Sequence, residues 1–174
     1  MTRILTLIFI LFSLTYGNKY TEFSGKVTYY ANHVLHKWNG VSNEINGFIN
    51  YVNGGNEFSC DIKIPIASFD SKNASRDSNM LIYTNAIDFP DIVFSANDIE
   101  IIQNKAKVKG VLSFGGTNRD IISDVDILIT DNILFSGKIV IKLSDFKITR
   151  PSLLFKKIDD EIYINFSITA NKGN

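Results

Sequence analysis

The sequence predicts an all-β protein, an eight-stranded antiparallel barrel with one short helix over one end. Three observations lead there. Apolar and polar residues alternate with period two in segment after segment. Turn-forming residues punctuate those segments, and a single polar, helix-competent stretch at 70–90 interrupts them.

The chain opens on a leader. Arg3 gives a positive start, Ile4 to Leu14 an apolar run, and Thr15-Tyr16-Gly17 small residues at the needed places, which predicts cleavage after Gly17. A run of about eleven residues is far short of the ~20 that span a bilayer as a helix. The expectation is a signal peptide over 1–17, a single barrel domain over 18–174, and a periplasmic or secreted product.

Strands are expected at 22–31, 44–52, 56–66, 91–101, 105–114, 118–130, 132–143 and 160–170. In the fifth, Ala106, Val108, Gly110, Leu112 and Phe114 share one face, while Lys107, Lys109 and Ser113 take the other with Val111. Ile121, Val125, Ile127 and Ile129 oppose Asp120, Asp124, Asp126 and Thr130. Ile133, Phe135, Gly137, Ile139, Ile141 and Leu143 oppose Ser136, Lys138 and Lys142. Ile162, Ile164, Phe166 and Ile168 oppose Tyr163, Asn165, Ser167 and Thr169. Asn53-Gly54-Gly55-Asn56, Gln103-Asn104, Gly115-Gly116 and Asp131-Asn132 tolerate positive φ and place hairpins between neighbours. Asp70, Ser71 or Asn73 can cap a helix running to about Ala86, ahead of Pro90. The stretch 144–159, with Arg150-Pro151-Ser152, reads as a loop folded against the barrel with Leu153-Leu154-Phe155 as apolar cover.

Composition narrows the function. At 174 residues, 45% of them hydrophobic, the chain suits one domain with a substantial core. Lys and Arg number 18, as do Asp and Glu; removing Arg3 with the leader leaves 17 basic against 18 acidic side chains, which argues against a nucleic-acid partner. Cys60 is the only cysteine, so no intrachain disulfide forms, and its place in the alternation Phe58, Cys60, Ile62, Ile64, Ile66 reads as a buried, inert thiol. His33 and His36 are the only histidines. In an extended segment a spacing of three puts them on opposite faces, a poor metal pair, although a turn would bring them together. With Leu35 and Trp38 they read as packing and rim residues. No nucleophile elbow, zinc pattern or paired carboxylates support catalysis, so no enzyme activity, metal or cofactor is expected.

Ser68-Phe69-Asp70 followed by Arg76-Asp77, then Phe89-Pro90-Asp91-Ile92-Val93-Phe94, Lys109 to Thr117 and Leu143 to Leu154, resemble in order and spacing the motifs of the YceI-like family. The resemblance implies a lipocalin-like barrel that holds a long isoprenoid tail, such as an isoprenoid quinone or prenyl phosphate. The chain departs from that pattern at Asn79, where relatives often carry His, and at Lys147 and Phe155, where they often carry Gly.

Alternation alone does not choose between a filled barrel and a hollow one. Gly25, Gly47, Gly110 and Gly137, with Ala96, Ala106 and Ser123, fall on the inward face; they either remove wall volume or mark sharp bends. The family resemblance implies the hollow form. The candidate cavity wall is then Val27, Tyr29, Ile49, Ile62, Ile64, Phe94, Val108, Leu112, Phe114, Ile127, Phe135, Ile139 and Phe166. Asn73, Arg76, Asn79 and Trp38 are the candidates at the mouth: Arg76 and the helix start suit a phosphate, and the Asn79 amide a carbonyl or phosphate oxygen. The alternative for Arg76 and Asp77 is that they fix the helix over the rim. The partner expected is a polyisoprenoid lipid, with transient membrane contact and a dimer among the possibilities. The rival functions are an envelope interaction protein with a packed barrel, or an enzyme on a small apolar substrate.

Overall fold

A computed structural model describes residues 17–52 and 58–173. Most of the expected leader and the Asn53-Gly54-Gly55-Asn56 turn lie outside the described residues. The strands are β1 (Asn18–His33), β2 (His36–Ser42), β3 (Asn46–Tyr51), β4 (Phe58–Pro65), β5 (Asp91–Ile102), β6 (Lys105–Phe114), β7 (Thr117–Ile129), β8 (Ile133–Lys142), β9 (Ser152–Leu153), β10 (Lys156–Lys157) and β11 (Glu161–Lys172). One helix, α1 (Ala74–Tyr83), lies between β4 and β5.

Neighbours pair antiparallel in chain order from β3 to β8, β11 follows β8, and β1 closes the ring against β11 from Tyr20–Lys172 to Tyr30–Tyr163. Barrel closure removes the free edges that an open sheet would expose. The eight-stranded expectation holds in a specific sense: β2 and β3 share one position around the barrel. Tyr20 faces Ile49 and Val27 faces Ser42, a step of seven residues on both strands, so β2 and β3 continue one register along β1 across a break at 43–45.

β2 was not expected as a strand, because its alternation carries little apolar contrast: Trp38, Gly40 and Ser42 on one face, Lys37, Asn39 and Val41 on the other. Gly40 leaves room for the Tyr29 ring opposite it, which a Cβ would meet at 2.4 Å. Two reciprocal backbone bonds, Val41 N–H to the Asp70 carbonyl and Asp70 N–H to the Val41 carbonyl, dock β2 on the segment leading into α1.

The inward glycines bend and clear rather than widen. Gly25 and Gly47 have φ of +125° and +126°, and a Cβ there would lie 2.2 Å from the Ser167 carbonyl oxygen and 1.8 Å from that of Asp61. Both flank the stretch where β1 passes from β3 to β2, and the positive φ supplies the coil. At Gly110 and Gly137 the vacated space is taken by the rings of Phe94 and Phe166, 2.7 and 2.6 Å from a built Cβ. Gly115 and Gly116, at φ +55° and +76°, make the two-residue turn between β6 and β7, and Gln103 is left-handed between β5 and β6. The Asp131-Asn132 turn contains no positive φ and instead closes through Thr130 N–H on the Asn132 carbonyl.

α1 ends at Tyr83, three residues earlier than expected, because Thr84 caps it with its backbone N–H and its hydroxyl, both on Met80, and Asn85 turns left-handed. The segment 144–159 also differs from expectation. Phe146 and Ile148 cover the barrel end, whereas Leu153, Leu154 and Phe155 belong to the β9–β10 hairpin, where Leu153 borders the cavity mouth and Leu154 and Phe155 face solvent.

Gly47→Ala should lower unfolding free energy by about 3 kcal/mol, since an L side chain is strained at that φ and meets backbone that cannot give way. Urea titration checks it; an unchanged midpoint would refute the bend.

Candidate functional site

The barrel is hollow. A cavity of about 740 Å³ runs its length, from Phe58, Ile99 and Ile133 at one end to Trp38, Arg76 and Ile158 at the other. Among the described residues the far end is packed around Tyr20 and Ala170, which are 1% and 0% exposed. The exposed lining residues, Asn73, Ser75, Asn79, Tyr83, His36, Ser152 and Leu153, all belong to α1 and its cap or to the two hairpins, so the mouth opens there.

All thirteen residues expected on the wall line this cavity. They do so because period-two strands send every second side chain inward at each of the eight positions. Val27, Ile49, Ile62, Val108, Leu112, Phe114 and Ile127 are buried, and Phe135 and Phe166 meet at 6.3 Å between ring centroids. Leu143, Phe146 and Ile148, reached through the turn that follows β8, extend the apolar packing toward the mouth with Phe114 and Ile162.

Two polar groups interrupt the depths. Cys60 lines the cavity on β4, and burial pushes its thiol up to about 12, against a small opposing effect of the Ala96 backbone. Ser123, on β7 opposite Val108, is 7% exposed, and its Oγ has no hydrogen-bond partner among the described residues. An apolar hydrocarbon lying beside it leaves that hydroxyl unsatisfied.

The mouth is built from α1. Asn73 Oδ1 accepts from Arg76 N–H at 3.0 Å and caps the helix. Arg76 Nε donates to Ser71 Oγ and Nη2 to the Ser71 carbonyl, both at 2.8 Å, while Asp77 accepts the Ser71 N–H at 3.2 Å on each oxygen. Arg and Asp therefore both fasten the loop before the helix. Arg76 keeps a second face: its guanidinium lies over the Trp38 ring at 5.3 Å and lines the cavity, and it forms no ion pair among the described residues. Tyr29 lies below, edge-on to Phe69 at 5.5 Å; burial raises its phenol above the ordinary range, and Asp77 adds to this, while Trp38, Arg76 and Ser71 pull the other way. Asn79 is exposed on the rim with its amide directed to no protein partner among the described residues.

Asn73, Arg76, Asn79 and Trp38 thus converge on one opening, together with Met80 and Tyr83, which had not been singled out. The signal for those two is the helical spacing 73, 76, 80, 83, one face of α1 turned toward the bore. His33 and His36 also meet, because the hairpin turn puts them directly opposite each other with ring centroids 5.8 Å apart. Both nitrogens of His33 are engaged: Nδ1 accepts from Leu35 N–H at 3.3 Å and Nε2 donates to the Lys156 carbonyl at 3.1 Å. No group of three or more metal-ligating side chains forms among the described residues.

A YceI-like domain model matches residues 19–170. The chain belongs to the YceI-like family. Similar solved structures include BcnA of Burkholderia cenocepacia, at 20% identity and TM-score 0.75, covering 84% of this chain and 96% of that one. A polyisoprenoid-binding domain of Saccharophagus degradans, described as implicated in plant cell wall breakdown, aligns at 10% identity and TM-score 0.72 over 91% and 100%. The YceI protein of Campylobacter jejuni aligns at 25% identity and TM-score 0.61 over 100% and 94%. No curated protein matches. At the two positions where this YceI-like chain departs from frequent glycines, Lys147 and Phe155, φ is +58° and +63°, the left-handed region glycine favours.

The Cys60 thiolate should be scarce. With its pKa near 12 rather than 9, the thiolate fraction at pH 8 falls about 1000-fold, and alkylation of the folded protein should slow by a similar factor relative to the unfolded chain. Equal rates in a timed thiol-reagent assay would contradict the burial.

Proposed function

We propose that this protein is an exported, non-enzymatic lipid carrier that holds one polyisoprenoid, tail inward, in the barrel cavity. The observation that carries this reading is the cavity itself, about 740 Å³ with walls in which Ile, Val, Leu and Phe predominate and the polar residues gathered mostly at the mouth. That volume lies in the range of small-molecule sites, roughly 300–1000 Å³. β7 spans 13 residues; at about 3.3 Å rise and 40° tilt the bore is roughly 30 Å long, which suits an elongated guest. Membership of the YceI-like family and the polyisoprenoid-binding description of one structural neighbour agree with it.

Magnitudes say what kind of tail. Burying apolar carbon yields about 0.8 kcal/mol per CH2, or roughly 3 kcal/mol per five-carbon unit after imperfect packing. Association costs about 4–15 kcal/mol, so micromolar binding, about −8 kcal/mol, takes roughly four to eight units. Arg76 then meets an anionic head group with its remaining face, and Asn79 offers a neutral amide beside it. No cofactor is needed for that task. The alternative of a solidly packed interaction scaffold lacks its premise, because the bore is open.

Native mass spectrometry of protein recovered gently from its host should carry a lipid adduct; a uniformly empty protein argues against the carrier. Leu112→Trp should fill the lumen and abolish uptake of an apolar fluorescent probe while the strand spectrum stays intact; wild-type uptake would remove Leu112 from the wall. Gly137→Phe is unsuited to that test, since its ring would strike Phe166.

Arg76→Gln should weaken a prenyl phosphate about tenfold, the loss of one charge-assisted contact of about 1.4 kcal/mol, and leave the matching neutral prenol unchanged. Equal losses for both would assign Arg76 to fixing the helix alone.

A further inference from the structure

The two hairpins at the mouth carry apolar tips that cover nothing. Phe155 is 103% exposed and Leu154 70%, and Val34 and Leu35 on the β1–β2 turn are 73% and 59% exposed. These tips belong to one surface. His33 Nε2 donates to the Lys156 carbonyl at 3.1 Å, and Asp159 N–H donates to the Asn32 carbonyl at 2.8 Å, so the hairpins are stitched together below their tips. Leu154 and Phe155 both hold left-handed backbone, φ +49° and +63°, an unfavourable conformation for bulky residues. Neither lines the cavity nor joins either core cluster, so folding draws no packing from their side chains.

Charge selects the partner. From Lys147 to Ile158 the chain carries Lys147, Arg150, Lys156 and Lys157 and no acid, and from His33 to Lys37 it carries Lys37 and no acid. Two of the three flanking carboxylates are occupied: Asp159 accepts from Asn32 Nδ2, and Asp160 accepts from Ser144 and lies 3.8 Å from Arg150, whereas Asp145 is exposed with no side-chain partner among the described residues and leaves the stretch with a surplus of basic groups. Exposed aromatic and aliphatic tips ringed by lysines match a bilayer with anionic head groups, which takes the apolar side chains into its acyl boundary and attracts the ammonium groups.

We propose that the paired β1–β2 and β9–β10 tips dock the barrel, mouth first, on an anionic lipid bilayer. The docking adds to the carrier reading and rests on it for its purpose: it sets the opening of the bore against the source of its guest. Pro151, Ser152 and Leu153 line the cavity one step below the inserted tip, so the membrane surface meets the mouth directly.

The test uses the full chain labelled with nitrobenzoxadiazole on Phe155→Cys, with Cys60 too buried to react, and on Gln103→Cys at the opposite end as control. With vesicles of phosphatidylglycerol and phosphatidylcholine in roughly equal parts, the label at 155 should shift to the blue and the label at 103 should not. The shift should be lost with pure phosphatidylcholine and in about 0.5 M salt. Lys156→Glu with Lys157→Glu should weaken docking roughly tenfold, and in the unlabelled chain Leu154→Ser with Phe155→Ser should do the same by flotation, while uptake of the lumen probe stays unchanged in both. No shift at 155, or an equal shift at 103, overturns the docking and leaves the tips to a protein partner. Failure of the carrier reading itself would show separately, as a bore that excludes the probe while the tips still insert.

Discussion

A barrel with an empty centre cannot rely on a filled core, so the ring of strand pairs must hold its shape. The constraint that everything else depends on is closure of β1 on β11, ten paired positions from Tyr20–Lys172 to Tyr30–Tyr163. Each ladder bond contributes modestly on its own, but an opened edge would expose a row of unpaired amides and carbonyls and let water into the apolar bore. The same closure forces β1 to coil hard enough to serve β3 with its first residues and β2 with its last. Gly25 and Gly47 absorb that coil, and any side chain at either would press into carbonyl oxygens of the facing strand.

The bore keeps its width through a division of labour around the wall. Where the backbone approaches too closely for a side chain, at Gly110 and Gly137, a phenyl ring from the neighbouring strand leans over the gap. Apolar side chains from every strand position reach inward and leave a cavity of about 740 Å³ between them. The two clusters of buried residues therefore form a sleeve, one half around Ile62, Val108 and Val125, the other around Leu112, Ile141 and Phe146. The helix face through Arg76, Met80 and Tyr83 forms part of the lip, and its capping by Asn73 and Thr84 sets its length.

Strands whose two faces differ in polarity were legible from residues alone. Val108, Leu112, Ile127 and Ile139 announce an inward face because lysines and aspartates alternate with them, and all thirteen expected wall residues do line the cavity. β2 escaped because its inward face, Trp38, Gly40 and Ser42, is covered without carrying an apolar rhythm. The mouth was half legible: Arg76 and Asn73 stand out by chemistry, but their bonds to Ser71 and to each other depend on a turn whose geometry no local pattern encodes. Leu153, Leu154 and Phe155 misled, since an apolar triplet looks like cover until two left-handed residues turn it outward. The hollow itself was not readable from glycine positions, which turned out to mark bends and ring seats.

Among the described residues the Tyr20 end is packed shut, so on the carrier reading the bore is a scabbard rather than a pipe. Whatever slides in must back out the way it came, so the portion inserted first is surrendered last. On that reading cargo length would be gauged against a fixed floor: a strand of carbon shorter than the sheath would sink its polar terminus below the rim, and a longer one would leave that terminus standing proud. Selectivity by length would then follow from depth alone, with no side chain needed to count units.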